Sequence, residues 1–211
     1  MELIGLVGLK GSGKDTVGLY FEQQYGFSAI SFAVSLKDCV CAIFGWDRTM
    51  MEGRTPKSRE WREQNDPWWA EKLGLPFFSP RDAMTGFGTD VMRRHFHSEI
   101  WVHNTERKIR SNNGPVVVTD IRFPNELAMI RSLGGKIIRV ERGDRPEWHD
   151  VALRAIKGDE VAIALLAKLK VHESEWLLID TPTDTVLHND ATIATLYEEC
   201  ERWYSNNLVQ S

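Results

Sequence analysis

The fold of this chain is decided by one stretch near its amino terminus, Gly8-Leu9-Lys10-Gly11-Ser12-Gly13-Lys14-Asp15-Thr16. The stretch matches the pattern G-x-x-x-x-G-K, follows an apolar run at residues 2–7 and precedes a segment of helical periodicity at residues 16–25. Its glycines let the backbone curl so that successive N–H groups point at nucleotide phosphates, and the helix that follows presents its N-terminus to the same anion. Lys14 adds a positive charge for the β- and γ-phosphates. We therefore predict an ATP-binding loop made of Gly8, Lys10, Gly11, Ser12, Gly13, Lys14, Asp15 and Thr16.

The residue after the loop lysine departs from the usual pattern. Asp15 stands where Ser or Thr normally ligates Mg²⁺, and the hydroxyl comes one residue later at Thr16. Two interpretations stay open. Asp15 holds Mg²⁺ directly or through water, since carboxylates suit this hard ion, or it interacts only with the helix dipole while Thr16 contacts the phosphates. We favour the metal-linked role.

Strand-like and helix-like segments alternate along the rest of the chain. Short apolar runs predict strands at residues 27–32 and 116–119, at 136–140, and at either 177–180 or 185–188. Helical patterns occupy residues 35–44, 81–96, 99–110, 125–133, 151–169 and 191–203. This alternation implies an α/β fold with a mostly parallel central sheet flanked by helices, which binds its ligands at the carboxyl ends of the strands.

Length and composition exclude several classes of protein. The chain has 211 residues, 42% of them hydrophobic and 27% charged, as in an ordinary globular domain. A net charge of -4 gives no overall basic field for a nucleic acid, and no apolar run approaches the ~20 residues that span a bilayer. The three cysteines form no CxxC pair, which favours free thiols in a reducing cytoplasm. We expect a cytoplasmic protein that binds neither nucleic acid nor membrane.

Residues 45–80 differ in character from the rest. They hold four of the eight tryptophans and many charges, with weak periodicity. We expect one domain over residues 1–211, with a Trp-rich, partly helical insertion at about 45–80 that acts as an acceptor-side or lid-like segment.

Several motifs follow one another along the chain in an order typical of a known family. The longest are Gly11–Thr16, Thr119-Asp120-Ile121-Arg122-Phe123-Pro124-Asn125-Glu126 and His172-Glu173-Ser174-Glu175. Shorter ones are Ser31-Phe32-Ala33, Leu36-Lys37, Pro80-Arg81, Gly88-Thr89-Asp90 with Arg93, and residues 186–192. Together they resemble the phage-type deoxynucleoside monophosphate kinases of the P-loop nucleotide kinase superfamily. The segment that begins at Asp120 is the most specific, and the resemblance covers most of the chain except residues 45–78 and 150–170.

The resemblance implies a P-loop kinase fold and transfer of the ATP γ-phosphate to a deoxynucleoside 5′-monophosphate, with Mg²⁺ as cofactor. It also implies a position near the acceptor phosphate for Lys37, although a plain surface lysine would look the same. A phage-encoded protein would act in the host cytoplasm. A homodimer stays open.

The chemistry of such a transfer agrees with the residues. Several anionic phosphates meet in one site, so catalysis consists of positioning and cationic stabilisation, and arginines from more than one segment are needed. Arg122 is favoured because it follows the end of a strand by two residues, where its planar fork can grip a phosphate. Asp120, at that strand end, either serves Mg²⁺ or caps the next helix. The candidate arginines are Arg81, Arg93, Arg94, Arg122 and Arg142.

These considerations give a set of site residues. We assign catalysis to Lys14, Asp120 and Arg122, and add Arg142 to the ATP-binding loop. Acceptor binding is assigned to Lys37, Arg81, Asp90, Arg93, Trp101 and Arg122, and the metal to Asp15, Thr16 and Asp120. Trp101 could stack on a nucleobase, although most tryptophans serve packing.

Two other functions share the phosphate loop. A P-loop kinase for another small acceptor, such as dephospho-coenzyme A or phosphomevalonate, differs only in the segments that carry the resemblance. A nucleotide-dependent switch protein would hydrolyse slowly and signal by conformation, but the chain has no Asn-Lys-x-Asp segment for reading guanine.

Overall fold

A single parallel sheet organises the sequence. The computed structural model describes residues 2–208, and within them five strands pair in the order β2-β3-β1-β4-β5. All four pairings are parallel. The strands are β1 (Leu3–Val7), β2 (Ser28–Ile30), β3 (Val116–Val118), β4 (Lys136–Glu141) and β5 (Thr185–His188). The expected α/β class with a parallel central sheet is confirmed.

The strands are connected by helices. Those of the described residues are α1 (Lys14–Tyr25), α2 (Ala33–Phe44), α3 (Arg48–Glu52), α4 (Pro56–Trp61), α5 (Pro67–Leu73), α6 (Pro80–Thr85), a π-helical segment (Gly86–Phe96), α7 (Ile100–Arg110), α8 (Pro124–Ser132), α9 (His149–Ile156), α10 (Glu160–Lys168), α11 (Glu173–Trp176) and α12 (Ile193–Asn207). No helix within residues 2–208 is long and apolar enough to cross a membrane.

Strand β1 lies at the centre of the sheet. All five of its residues are buried, as a strand covered on both faces requires, and this explains its uninterrupted apolar sequence. It pairs with β3 through Leu3 and Val116 and with β4 through Ile4 and Lys136. The connection after β1 leads to one side of it and the connection after β3 to the other. Their carboxyl ends therefore border the crevice in which open α/β sheets bind ligands.

An aromatic core holds the helices that flank this sheet. Phe21 of α1 is fully buried and meets Trp203 of α12 edge-on, with 5.9 Å between ring centroids. One turn further along, Tyr25 stacks on Tyr204 at 3.7 Å. Burying large aromatic rings contributes most of the stabilisation available to such a core. Helix α1, which carries the phosphate loop at its start, is thereby packed against α12.

The chain divides into two compact units. One contains the residues up to Ser31 and from Glu106 onward, including the whole sheet, and the other extends from Phe32 to Thr105. The segment at about 45–80 is contained in this second unit. The three cysteines, which all fall within the described residues, are free thiols.

Short helices and stacked aromatic rings build the second unit. Asp47, Thr55 and Asp66 each accept a backbone N–H bond at the start of α3, α4 and α5. Such capping defines helices too short to show a clear apolar period. Trp46 stacks on Phe44 with 4.6 Å between ring centroids, and its Nε1 donates to Asp66 at 2.8 Å.

Three segments differ from the sequence expectations in detail. The helical stretch at residues 151–169 is two helices, because Gly158 adopts a φ of 88° and Asp159 caps the next helix by accepting from the N–H groups of Val161 and Ala162. The late strand is β5 at residues 185–188 rather than 177–180. The helix expected at residues 81–96 becomes π-helical from Gly86 onward.

Candidate active site

Glycine is required at two corners of the phosphate loop. Gly8 adopts a φ of 149°, and a Cβ there would lie 2.3 Å from the carbonyl oxygen of Val140. Gly13 adopts a φ of 107°, and a Cβ there would lie 2.4 Å from Nδ2 of Asn189. Any side chain would collide with neighbouring atoms at both positions, so the loop can pass close to β4 and to the end of β5 only with glycine.

Lys14 is buried beneath this loop. Its side chain donates from Nζ to the carbonyl oxygens of Gly8 at 2.7 Å and Leu9 at 2.8 Å, and the residue is 6% exposed. Burial, and to a smaller extent the Arg122 guanidinium, lower the pKa of Lys14 from 10.5 to about 8. The carboxylates of Asp15, Glu175 and Asp120 act in the opposite direction. The lysine is therefore surrounded by the charged groups that a phosphate would meet.

The end of β5 supports the loop from outside. Asn189 donates from Nδ2 to the carbonyl oxygen of Ser12 at 2.9 Å, while its own N–H donates to the carbonyl oxygen of Glu141 at 2.8 Å. Ser12 is 3% exposed, and its Oγ has no hydrogen-bond partner among the described residues. A buried hydroxyl without a partner can donate a hydrogen bond to an anion in the loop.

Two carboxylates assigned to the metal lie at different depths. Asp15 is exposed in the first turn of α1, next to the half-buried Thr16. Asp120 follows β3 and accepts a hydrogen bond from Ser31 Oγ at 2.6 Å, which ties the ends of β2 and β3 together. Both carboxylates raise the pKa of Lys14 and hence lie near its ammonium group.

A buried carboxylate shapes the turn that carries Arg122. Glu126, which is 1% exposed, accepts from the N–H groups of Arg122 at 2.7 Å and Phe123 at 3.1 Å through Oε2. Pro124 occupies the first helical position of α8, where its missing N–H costs nothing. Glu126 thus orients the backbone of Arg122. Glu126 was not predicted as a site residue, although Pro and Glu at these positions are a recognisable helix-start signal.

The guanidinium of Arg122 lies beside the phosphate loop. Its Nη1 donates to Oε1 of Glu175 at 2.8 Å, and both side chains are about three-quarters buried. The second oxygen of the same carboxylate, Oε2, accepts the backbone N–H of Lys10 at 3.3 Å. Glu175 therefore connects Arg122 to the loop, a role that its motif alone did not indicate.

Arg142 lies at the same edge of the sheet but is not part of this cluster. It is exposed in the loop after β4, and its neighbour Gly143 donates its N–H to Asp190 at 2.5 Å. Its assignment to ATP binding stays a prediction.

The predicted acceptor residues lie in the second unit, apart from Arg122. Lys37 donates to Glu52 at 2.9 Å and Arg81 pairs with Glu63 at 3.0 Å. Arg93 is half-buried on the π-helical segment. Lys37 and Arg81 are each held by an ion pair, and the role of all three cations toward an acceptor stays a prediction.

The π-helical segment also carries Asp90 and contacts Trp101. Asp90 pairs with Arg94 at 2.9 Å on the exposed side of the helix. Trp101 is 6% exposed and donates from Nε1 to the carbonyl oxygen of Gly88 at 3.0 Å. This indole therefore packs inside its unit, and base stacking by it stays a prediction. π-Helical turns are frequent at functional sites.

Arg62 is a basic residue that we did not assign from the sequence. Burial lowers its pKa, the nearby Arg81 guanidinium lowers it further, and its Nε has no partner among the described residues. The guanidinium packs against the backbone of Gly53, where a Cβ would lie 2.3 Å from Arg62 Cζ. A half-buried cation without a bonded carboxylate favours a nearby anion. No motif marks it, because it lies in the segment outside the resemblance.

Comparisons with known proteins identify proteins to which this chain is similar. A sequence model of the deoxynucleotide monophosphate kinase family matches residues 73–153. A protein of Acanthamoeba polyphaga mimivirus described as a deoxynucleotide monophosphate kinase is 31% identical over 179 residues, which cover 77% of this chain and 88% of that protein. The deoxynucleoside-5′-monophosphate kinase of Escherichia phage T5 is 39% identical over 56 residues, or 26% of this chain and 22% of the phage protein. Among solved structures, shikimate kinase from Aquifex aeolicus has a TM-score of 0.48 and 12% identity, with 99% of each chain covered.

A glycine-rich loop after the central strand of a parallel sheet, with a lysine beneath it, is the arrangement by which P-loop kinases hold nucleotide phosphates. The chain is a P-loop kinase. The match across 88% of the mimivirus protein shows further that it belongs to the deoxynucleotide monophosphate kinase family, which confirms the resemblance inferred from the sequence.

Proposed function

We propose that the protein transfers the γ-phosphate of ATP to the 5′-phosphate of a deoxynucleoside monophosphate. An oxygen of the acceptor phosphate forms a bond to the γ-phosphorus, and the bond from that phosphorus to the β,γ-bridging oxygen breaks. The products are ADP and a deoxynucleoside diphosphate. The observation that carries the proposal is the position of Arg122, a second cation beside the phosphate loop and close enough to Lys14 to lower its pKa, in a member of this family.

The donor binds at the loop. The amides from Gly11 to Thr16 and the buried hydroxyl of Ser12 face the phosphates, and Lys14 exchanges its two carbonyl partners for phosphate oxygens. Arg142 contacts the nucleotide from the loop after β4. This exchange is favourable because a charged donor gains more from a phosphate than from neutral carbonyls.

The acceptor binds through cations outside the loop. Arg122 grips its phosphate with the planar fork of the guanidinium, which suits two phosphate oxygens at once. The assignment of Lys37, Arg81, Asp90, Arg93 and Trp101 to acceptor binding, and of the segment at about 45–80 to the acceptor side, is part of this proposal. Arg62 is a further candidate for binding an acceptor anion, because burial lowers the pKa of its guanidinium and its Nε has no partner among the described residues.

Magnesium fits the residues at the loop. Asp15, Thr16 and Asp120 offer carboxylate and hydroxyl oxygens, the ligands that Mg²⁺ takes when it also keeps water and substrate phosphates. Both carboxylates lie near Lys14, as their effect on its pKa requires. When bound, the ion would supply charge neutralisation at the β- and γ-phosphates.

An acceptor screen tests the proposal. ADP release is measured with ATP and Mg²⁺ against deoxy and ribo monophosphates of every base, dephospho-coenzyme A and phosphomevalonate. We expect turnover with at least one deoxynucleoside monophosphate to exceed the rate without acceptor by orders of magnitude. Preference for either of the last two compounds would identify a kinase of another small acceptor, and an equal slow rate under all conditions would identify a switch protein.

A further inference from the structure

The carboxylate of Glu175 occupies a position that a phosphate would favour. One of its oxygens accepts from the loop N–H of Lys10 at 3.3 Å and the other from Nη1 of Arg122 at 2.8 Å. Backbone amides of a phosphate loop and arginine guanidinium groups both donate readily to phosphate oxygens. Glu175 also raises the pKa of Lys14, so its negative charge reaches the loop lysine.

The backbone that carries Glu175 is held firmly in place. Trp176, the next residue, is 7% exposed and packs with Ala152 and Leu166 of α9 and α10. On the other side, Nη2 of Arg139 in β4 donates to the carbonyl oxygens of Leu178 at 2.8 Å and Thr181 at 2.7 Å. The segment is therefore anchored to the sheet, and the side chain of Glu175 can leave the loop by a change of rotamer while its backbone stays in place.

We propose that Glu175 occupies the site of a substrate phosphate oxygen in the ligand-free enzyme and couples donor binding to acceptor binding. The ATP phosphates displace its carboxylate from the loop, and the displaced carboxylate releases Arg122 for the acceptor phosphate. This inference rests on the proposed function, since it takes Arg122 as the acceptor's partner. No covalent step is involved.

Two consequences follow from competition at one site. Each substrate alone must break a contact of Glu175, so each binds more weakly than it would to an enzyme without that carboxylate. Once the first substrate has broken the contact, the second does not meet it again. Binding is therefore cooperative, and the cooperativity is reciprocal as linkage requires.

The test is calorimetric titration of wild type and Glu175→Gln. A non-hydrolysable ATP analogue and the best deoxynucleoside monophosphate from the acceptor screen are titrated singly and in the presence of each other. The amide keeps the shape but loses the charge, so we expect each ligand alone to bind roughly 2–10-fold more tightly to Glu175→Gln. In wild type each ligand should increase the affinity for the other, and in Glu175→Gln this increase should fall toward onefold.

Glu173→Gln is the matched control. Glu173 lies on the same short helix, and within the described residues its carboxylate makes no hydrogen bond or ion pair. The ligand affinities and the coupling of the Glu173→Gln variant should therefore equal those of wild type. If Glu175→Gln is poorly folded, Glu175→Asp retains the charge on a side chain one methylene shorter and should give an intermediate effect.

Unchanged affinities in Glu175→Gln would overturn the proposal, because the carboxylate would then not compete with phosphate. Weaker binding of either ligand would overturn it as well, since Glu175 would then hold Arg122 in its productive position. Failure of the proposed function is distinguishable: wild type would show no turnover with a deoxynucleoside monophosphate, while the ATP-analogue titration would still report on Glu175.

Discussion

The burial of Lys14 makes ATP binding depend on pH in a range where few other groups titrate. Its pKa is lowered from 10.5 to about 8, first by burial and then by Arg122. This difference corresponds to about 3 kcal/mol in favour of the neutral amine in the folded, ligand-free chain. Phosphate oxygens interact strongly with the ammonium form only, so ATP must bind the protonated protein or restore the proton.

The expected magnitude follows from the proton equilibrium. The ligand-free protein is largely protonated at Lys14 at pH 7 and largely neutral at pH 9, so the Kd for ATP should rise about tenfold between these values. The stability of the fold changes with pH in the opposite direction to the affinity for ATP. Between pH 8 and 10.5 the unfolded chain binds more protons at this lysine than the folded chain, so its contribution to the free energy of unfolding increases with pH. Below pH 8 the cost of the buried charge is present in full.

Isothermal titration of ATP between pH 7 and 9.5 measures the effect. Lys14→Met should bind weakly and lose the pH step, because the titrating group is gone while the side-chain length is kept. Lys168→Met, at an exposed position of α10, should retain both the affinity and the step. A flat wild-type profile, or the same step in Lys14→Met, would refute the reasoning.

Further variants test the remaining parts of the site. Arg122→Ala should weaken acceptor binding roughly 10–150-fold and leave ATP affinity within a few-fold, because a charged hydrogen bond is worth about 1.5–3 kcal/mol; calorimetry with each ligand decides, and the reverse pattern would move Arg122 to the donor side. Asp15→Asn should raise the Mg²⁺ concentration for half-maximal rate; an unchanged profile with a stability loss of about 0.3–1 kcal/mol would favour the helix-dipole role. Glu126→Ala leaves two N–H groups without their acceptor and should lower the free energy of unfolding by about 2–4 kcal/mol in urea titrations, more than an ordinary surface change. Arg62→Met removes an unpaired cation, so it should weaken acceptor binding without lowering stability, whereas Arg59→Met, on the adjacent helix, should change neither.

The local part of the site could be predicted from the sequence. The phosphate loop is defined within nine consecutive residues by glycine geometry and a lysine, and the apolar run before it needs no distant partner to be recognised as a buried strand. Asp120 and Arg122 were found for a similar reason, since residues at strand ends meet at one edge of a parallel sheet.

Contacts between segments that are distant in the sequence could not be predicted from it. Glu175 is separated by 165 residues from Lys10 and by 53 from Arg122, and a single sequence does not indicate which carboxylate reaches a given amide. The second unit was difficult for another reason. Helices of five to seven residues, such as α3 and α5, are too short to show a 3.6-residue period and are determined by their caps. The helix break at Gly158 was likewise not predicted, because the apolar pattern of residues 151–169 is compatible with one continuous helix.

Transfer of label from ATP tests the central claim most directly. ATP labelled in its γ-phosphate is incubated with Mg²⁺, the protein and each deoxynucleoside monophosphate, and the products are separated. The account predicts that label accumulates in a deoxynucleoside diphosphate in equal amount to the ADP formed, and that Lys14→Ala, with a normal fold, slows this transfer at least about 10²-fold. Label that appears only as inorganic phosphate, at a rate independent of the monophosphate, would contradict it.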